Sequence, residues 1–324
     1  MARSFTREAE LYKKLILTIA VCLTFSVMLR AQQPQPVTLS MIVTDNKNKS
    51  VNSIRKDQVH VFEGKVEQTL LSIEPDERPI DYGILIDASG SFRRWINPAL
   101  DVLTLIIKNR RPSDEIFIER FVSSDKIENY REFTTDSAAL IKSLDGFYVE
   151  SGQSAVVDAL YMGVVHVDEH NKSNDGRRKA VVILTDGEDR NSFYKQETLI
   201  QLLRETGVQV FVLGLVDDLS NQSPYSKPGA RDRAEKLLRT VANESGGRVF
   251  FPRDREELVN AATEIIMDLR GQFRIRYQST NVAQNGFHEV DVKFASTDGE
   301  KRRLFVPSGY FVGPRTPEKQ EKKP

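Results

Sequence analysis

Asp87, Ser89 and Ser91 place three hard oxygen donors within five residues, directly after the apolar run Ile84-Leu85-Ile86. Hard oxygens suit Mg²⁺, Mn²⁺ or Ca²⁺ rather than zinc. Only one of the three is a carboxylate. A metal with few anionic ligands keeps residual positive charge and can attract a carboxylate from another molecule. Such a site binds a partner without needing any reaction of its own. Asp186 follows a second apolar run, Ala180 to Leu184, in the stretch Leu184-Thr185-Asp186-Gly187-Glu188-Asp189. Ser154 lies in a loop, Ser151-Gly152-Gln153-Ser154, just before a helical pattern beginning near Ala155.

The elements that must position these groups alternate strand and helix. Ile84 to Ile86, Ile116 to Val122, Ala180 to Leu184 and Val208 to Leu215 read as buried strands, the third being continuously apolar as in a sheet covered on both faces. Ile127 to Phe133 reads as a further strand, and Val249 to Phe251 as a short edge strand. Pro98–Ile107, Asp136–Leu144, Ala155–Val167, Glu197–Glu205, Arg231–Glu244 and Glu256–Leu269 read as helices, with Asp136 as a cap and Gly207 and Gly246 as stops. This order predicts an α/β domain over 79–270: a doubly wound, mostly parallel sheet with helices on both faces. Ligands of open α/β sheets bind outside the carboxyl ends of the strands. Asp87, Ser89, Ser91 and Asp186 all fall on that edge.

Two blocks of period-two alternation flank this domain, 37–75 and 272–312. Val37, Leu39, Met41 and Val43 alternate with their neighbours, as do Phe273, Ile275 and Tyr277. Glu63-Gly64-Lys65 and Asp298-Gly299 read as hairpin turns. Each block has about 40 residues, too few to bury a core alone. The expectation is that they pair into one β-sandwich, with the α/β domain inserted between them. Residues 313–324, rich in Pro, Lys and Glu, read as a disordered tail.

Lys13-Lys14, the apolar run Leu15 to Leu29, and Ala31 are the three parts of a secretory signal over 1–31. The run is shorter than the ~20 residues a spanning helix needs. An uncleaved anchor over 15–29 is the alternative. Removing 1–31 takes five basic and two acidic residues from the balanced 46 and 46, leaving 41 and 44. No basic surplus supports nucleic-acid binding. The only cysteine, Cys22, leaves with the signal, so no disulfide or thiolate site follows. A periplasmic or secreted location fits, with the membrane reached only through the N-terminal segment.

Taken together, D-x-S-x-S after one strand, a hydroxyl before the A-x-x-D-A-L helix (Ala155 to Leu160) and T-D-G after another strand resemble the von Willebrand factor type A domain. Val43-Thr44-Asp45, Asp57 to Lys65 and the terminal Ser308-Gly309-Tyr310 are similar to the exported bacterial branch of that family. The resemblance implies a metal-ion-dependent adhesion site. Ser89 and Ser91 would ligate through hydroxyls, and Asp87 and Asp186 directly or through water. Ser154 replaces the usual threonine and lacks the methyl that fixes the rotamer. Mg²⁺ is the expected ion, with Mn²⁺ or Ca²⁺ as alternatives. The partner would be a protein presenting Asp or Glu to it. Glu188 and Asp189 lie beside the site and read as solvated neighbours, with tuning of the site as the alternative. Arg93, Arg94 and Trp95 read either as a binding rim or, for Trp95, as packing beneath the loop.

Rival readings find less support. His166-Val167-Asp168-Glu169-His170 matches H-x-x-E-H, an inverted zinc-protease pattern, but sits where a helix runs out, far from the metal loop. No phosphate loop, G-x-S-x-G elbow or cysteine nucleophile supports an enzyme. The readings that stay open are a binding module, a structural or assembly component of an envelope complex, and, last, a metal-dependent hydrolase.

Overall fold

The computed structural model describes residues 36–172, 176–221, 229–281, 285–296 and 299–314. The proposed signal or anchor and the tail beyond 314 lie outside the described residues. Among the described residues, no helix is long and apolar enough to cross a membrane.

Among the described residues the first elements are β1 (Pro36–Thr44), β2 (Val59–Glu63) and β3 (Val66–Pro75). The α/β segment follows: β4 (Ile80–Asp87), α1 (Ile96–Lys108), β5 (Glu115–Ser123), β6 (Lys126–Thr134), α2 (Ser137–Leu144), α3 (Val156–Asn171), β7 (Arg178–Thr185), α4 (Gln196–Thr206), β8 (Gln209–Gly214), α5 (Ala230–Ser245), β9 (Val249–Phe250) and α6 (Arg255–Arg270). β10 (Phe273–Gln278), β11 (Gly286–Phe294), β12 (Arg303–Phe305) and β13 (Gly309–Val312) close it.

The central sheet runs β6-β5-β4-β7-β8-β9. All its neighbours are parallel except the edge pair β5–β6. Alternate residues of each buried strand face opposite layers. Ile84, Ile86, Val182, Leu184, Phe211 and Leu213 pack with α1, α2 and α6. Leu85, Val181, Ile183, Val210 and Val212 pack with α3, α4 and α5. Burial on both faces explains why these strands read as continuous apolar runs. Gly207 (φ 65°) and Gly246 (φ 72°) end α4 and α5 in the left-handed region, where glycine carries no Cβ penalty.

The next residue is constrained more tightly. A Cβ on Gly247 would lie 2.0 Å from the carbonyl oxygen of Val210 in β8. Backbone cannot yield as a flexible side chain can. Gly247→Ala is therefore expected to lose about 2 kcal/mol or more, read by chemical denaturation. Wild-type stability in that variant would contradict this packing.

The terminal blocks do combine. Their strands interleave in the order β12-β1-β10-β3-β2-β11-β13. The α/β segment leaves and re-enters this sheet through the neighbouring antiparallel strands β3 and β10, joined where Asp76 N–H donates to Gln272 O at 2.7 Å. The expected two-sheet sandwich does not form; the seven strands make one hydrogen-bonded sheet. Its curling supplies the second wall. β1 pairs with β10 over Pro36–Met41 and with β12 over Ile42–Thr44, so one strand serves two directions. Val37, Leu39, Met41, Val59, Val61, Phe273, Ile275, Tyr277 and Val290 converge in a single core on one face. Gly64 (φ 52°) and Lys65 (φ 74°) make the tight β2–β3 turn.

The two cores meet along a polar seam. Ile42 of β1 and Phe305 of β12 pack against the α1/α6 layer. Beside them, buried Arg248 donates from Nη1 to both oxygens of Asp268 at 2.9 and 2.8 Å and from Nη2 to Asn48 O at 2.7 Å. Ser50 Oγ donates to Asp268 at 2.6 Å, and Lys49 pairs with Glu264 at 2.7 Å. The β1–β2 connection is thus tied to α6.

Candidate metal centre

β4 ends in Asp87, and β7 ends one residue before Asp186. The strands are adjacent and in register, with Ile86 opposite Leu184, so both acids emerge together at the carboxyl edge. Asp87 is wholly buried. Its Oδ1 accepts from Ser89 N–H at 2.9 Å and its Oδ2 from Thr185 Oγ1 at 2.7 Å. Thr185 Oγ1 in turn accepts from Gly187 N–H at 3.0 Å, and Gly187 turns with φ 75°. The hydroxyls of Ser89 and Ser91 lie 3.1 Å apart. Ser89 is buried, whereas Ser91 is exposed.

Burial and the neighbouring Asp186 charge push the Asp87 carboxyl up to about 7. Hydrogen bonds from Thr185 and Ser89 oppose this shift only in part. Burial also raises Asp186, with the Ser91 hydroxyl and the Glu188 N–H partly offsetting it. Asp186 Oδ1 accepts that N–H at 3.0 Å, while its buried Oδ2 has no hydrogen-bond partner. Two desolvated acids, one with an orphaned oxygen, facing two hydroxyls form a donor set that fits a hard divalent cation.

Ser154 is buried and is tied through its backbone to the loop that carries Asp186. Its carbonyl accepts from Arg190 N–H at 2.8 Å and Asn191 N–H at 3.3 Å, in the loop that follows Asp186. The same loop caps α3. Asp189 Oδ1 accepts from Val157 N–H at 3.2 Å, and buried Asp158 accepts from the N–H groups of Phe193 and Tyr194, both at 2.8 Å. Asp189 is exposed, as a solvated neighbour is, and its carboxylate also caps the first turn of α3. Glu188 is mostly covered and pairs with Arg190 at 2.5 Å. The Asp189 contact is not visible in the sequence, because it joins segments 32 residues apart.

The metal loop turns into α1 through a 3₁₀ turn, Gly90–Trp95. Trp95 is buried in the α1 layer, which decides for packing over a binding rim. Arg94 stacks over its ring at 4.8 Å and pairs with Asp218, while Arg93 stays exposed. Thr185 is the residue that sequence reasoning missed. Its signal was a hydroxyl directly before the acid at a strand end.

The H-x-x-E-H stretch forms no shared site. His166 pairs with Glu132 at 3.2 Å, His170 pairs with Glu115 at 3.1 Å, and Glu169 is exposed. His170 stacks on Phe133 with ring centroids 3.8 Å apart, so this helix end is packed rather than merely solvated. Asp81, Glu115 and His170 gather at the opposite end of the sheet. There Asp81 already accepts from Arg177 at 2.6 Å and Asn171 at 2.8 Å, and the guanidinium supplies the positive charge.

Comparison with solved structures finds weak likeness. A mutated aerotolerance-related membrane protein from Bacteroides fragilis is 19% identical over 58% of this chain and 98% of its own, with a TM-score of 0.45. A von Willebrand factor type A protein from Catenulispora acidiphila is 12% identical over 76% of this chain and 75% of its own, TM-score 0.47. Proximal thread matrix protein 1 from the mussel byssus, with a zinc-occupied MIDAS motif, is 16% identical over 64% and 49%, TM-score 0.47. No curated protein matches the chain. The family model of the von Willebrand factor type A domain matches residues 81–264, more than half of the sequence and the whole span from β4 into α6. The chain belongs to the von Willebrand factor type A domain family.

Proposed function

We propose that this protein is an exported binding module that captures an acidic group on a partner protein through a divalent cation. Asp87, Ser89, Ser91, Ser154 and Asp186 would hold the ion, with Mg²⁺ the expected occupant. The observation that carries this reading is the pairing of buried Asp87 and Asp186 with the Ser89–Ser91 hydroxyl pair, open to solvent at Ser91. The bound ion would supply residual positive charge for a carboxylate arriving from outside. The protein's own part is to pre-set the oxygens. Thr185 and the Ser89 N–H orient Asp87, and the Glu188 N–H orients Asp186. Hydrogen-bonded carboxylates lose little freedom when the ion arrives. Export rests on the sequence of residues 1–31.

The test is surface plasmon resonance of immobilised protein against short peptides carrying one central Asp, or Asn in its place. The expected result is retention of the Asp peptides in Mg²⁺, with loss in EDTA and loss for the Asn peptides. Equal retention in EDTA would contradict capture through a metal.

A further inference from the structure

We infer that Arg120, a buried residue of β5 outside the donor set, is the positioning residue of this metal centre, acting through Glu150. The inference rests on the metal reading above. Arg120 is fully buried in β5, beside a second buried charged residue, Glu119, in a run that is otherwise apolar from Ile116 to Val122. Burying a guanidinium is costly unless its donors are satisfied, so its partners need explaining.

Its hydrogen bonds go to the 148–150 segment, and Nη1 makes none. Nε donates to Tyr148 O at 3.2 Å, the guanidinium stacks over the Tyr148 ring at 4.2 Å, and Nη2 donates to Glu150 Oε2 at 3.3 Å. Lys126 of β6 holds the other Glu150 oxygen. Glu128 stands 3.6 Å from Nη1. Glu150 N–H then donates to Ala88 O at 2.8 Å, and Ala88 N–H donates to Phe121 O at 2.8 Å.

These bonds close a ring. It runs from β5 at Phe121 to Ala88, on to Glu150, and back through Arg120 to β5. Ala88 sits between Asp87 and Ser89, so both of its backbone groups are clamped. The clamp extends to Ser154 along the chain. Gly152 lies against β5, where a Cβ would come within 2.4 Å of the Val122 side chain. Ser154 has no γ-methyl to restrict its rotamer, so fixing the segment that carries it matters more here than it would for threonine. Arg120 therefore sets the spacing between the 87–91 loop and the 150–154 segment. Its hydrogen bonds and ion pairs go to Tyr148, Glu150 and Glu128, not to the residues that would hold the ion.

The test is Mg²⁺ and Mn²⁺ titration calorimetry on the full-length protein and on Arg120→Met, Arg120→Lys, Glu150→Ala and the double variant Arg120→Met/Glu150→Ala, each checked for native circular dichroism. The expected result is that Arg120→Met and Glu150→Ala each weaken metal affinity about tenfold, the scale of outer-shell positioning groups. The double variant should lose about the same tenfold, not a hundredfold, because both changes open one ring. Arg120→Lys should recover part of the loss. At protein concentrations that keep Mn²⁺ bound, the electron paramagnetic resonance spectrum of the bound ion should show a changed zero-field splitting in the folded variants, a change that lost stability alone would not produce. Should Arg120→Met fail to fold, Glu150→Ala carries the test, since its side chain is partly exposed. Wild-type affinity in folded Glu150→Ala, or additive losses, would overturn the inference while leaving the metal reading standing. Absence of metal binding in the wild type would overturn both.

Discussion

Arg248→Ala is expected to destabilise the protein by about 3–5 kcal/mol, the cost of leaving a buried charge without its partner. Asp268 is fully buried, and among the described residues Arg248 supplies its only cationic contact within hydrogen-bond reach. Burial already lifts the Asp268 carboxyl to about 6 against the opposing pull of Arg248. Removing the guanidinium also frees Asn48 O and uncovers the faces of Phe250 and Phe305. The damage should concentrate at the seam between the curled sheet and α6, so amide protection should fall first in 45–50. A double variant, Arg248→Met/Asp268→Leu, should regain most of the stability, because an apolar pair needs no counter-charge. Denaturant titration of the two variants checks this. A loss below about 1 kcal/mol in Arg248→Ala would place the pair among ordinary surface bridges.

Asp87→Asn is expected to stabilise the metal-free protein while abolishing metal binding. The ordinary Asp pKa is 3.8, and in the folded protein burial and Asp186 raise that of Asp87 to about 7. The folded state therefore holds this proton more tightly than the unfolded chain does. Stability from this group is full below about pH 4 and is lost as pH rises toward about 7. Asparagine is neutral throughout, so that slope should disappear. Above pH 7 in EDTA the variant should gain on the order of 2–4 kcal/mol. Asn keeps an acceptor for the Ser89 N–H, and the Thr185 hydroxyl can rotate to meet the amide. Thermal melts in EDTA between pH 4 and 8 read both slopes. Parallel curves for variant and wild type would mean that the acids are not a standing electrostatic cost. Function explains why such a cost is kept: the same repulsion is relieved when a dication is bound.

Much of the architecture was legible because it follows from periodicity. The continuous apolar runs at 84–86 and 180–184 marked strands covered on both faces, and the acid that follows each, Asp87 and Asp186, marked the ligand edge. Gly207 and Gly246 marked helix ends through the left-handed conformation that they adopt. The donors Asp87, Ser89 and Ser91 were legible because they are contiguous, and Asp186 because its strand ends like theirs. What stayed hidden depends on contacts distant in sequence. Nothing in the spacing shows that Thr185 reaches Asp87 or that Asp189 caps α3. Arg120 and Glu150 are 30 residues apart, and either reads as an ordinary surface charge. The flanking strands showed their alternation but not their order. A single curled sheet and a two-sheet sandwich require the same alternating pattern. Only the register, with β1 passing from β10 to β12, separates them.

The central claim is that Asp87 and its neighbours hold a divalent cation, and it is tested most directly by calorimetric titration of Mg²⁺ and then Mn²⁺ into full-length wild type and Asp87→Ala. The account requires saturable binding at a single site in the wild type and none in the variant. No saturable binding in a folded wild type at millimolar metal, or equal binding in both proteins, would contradict it.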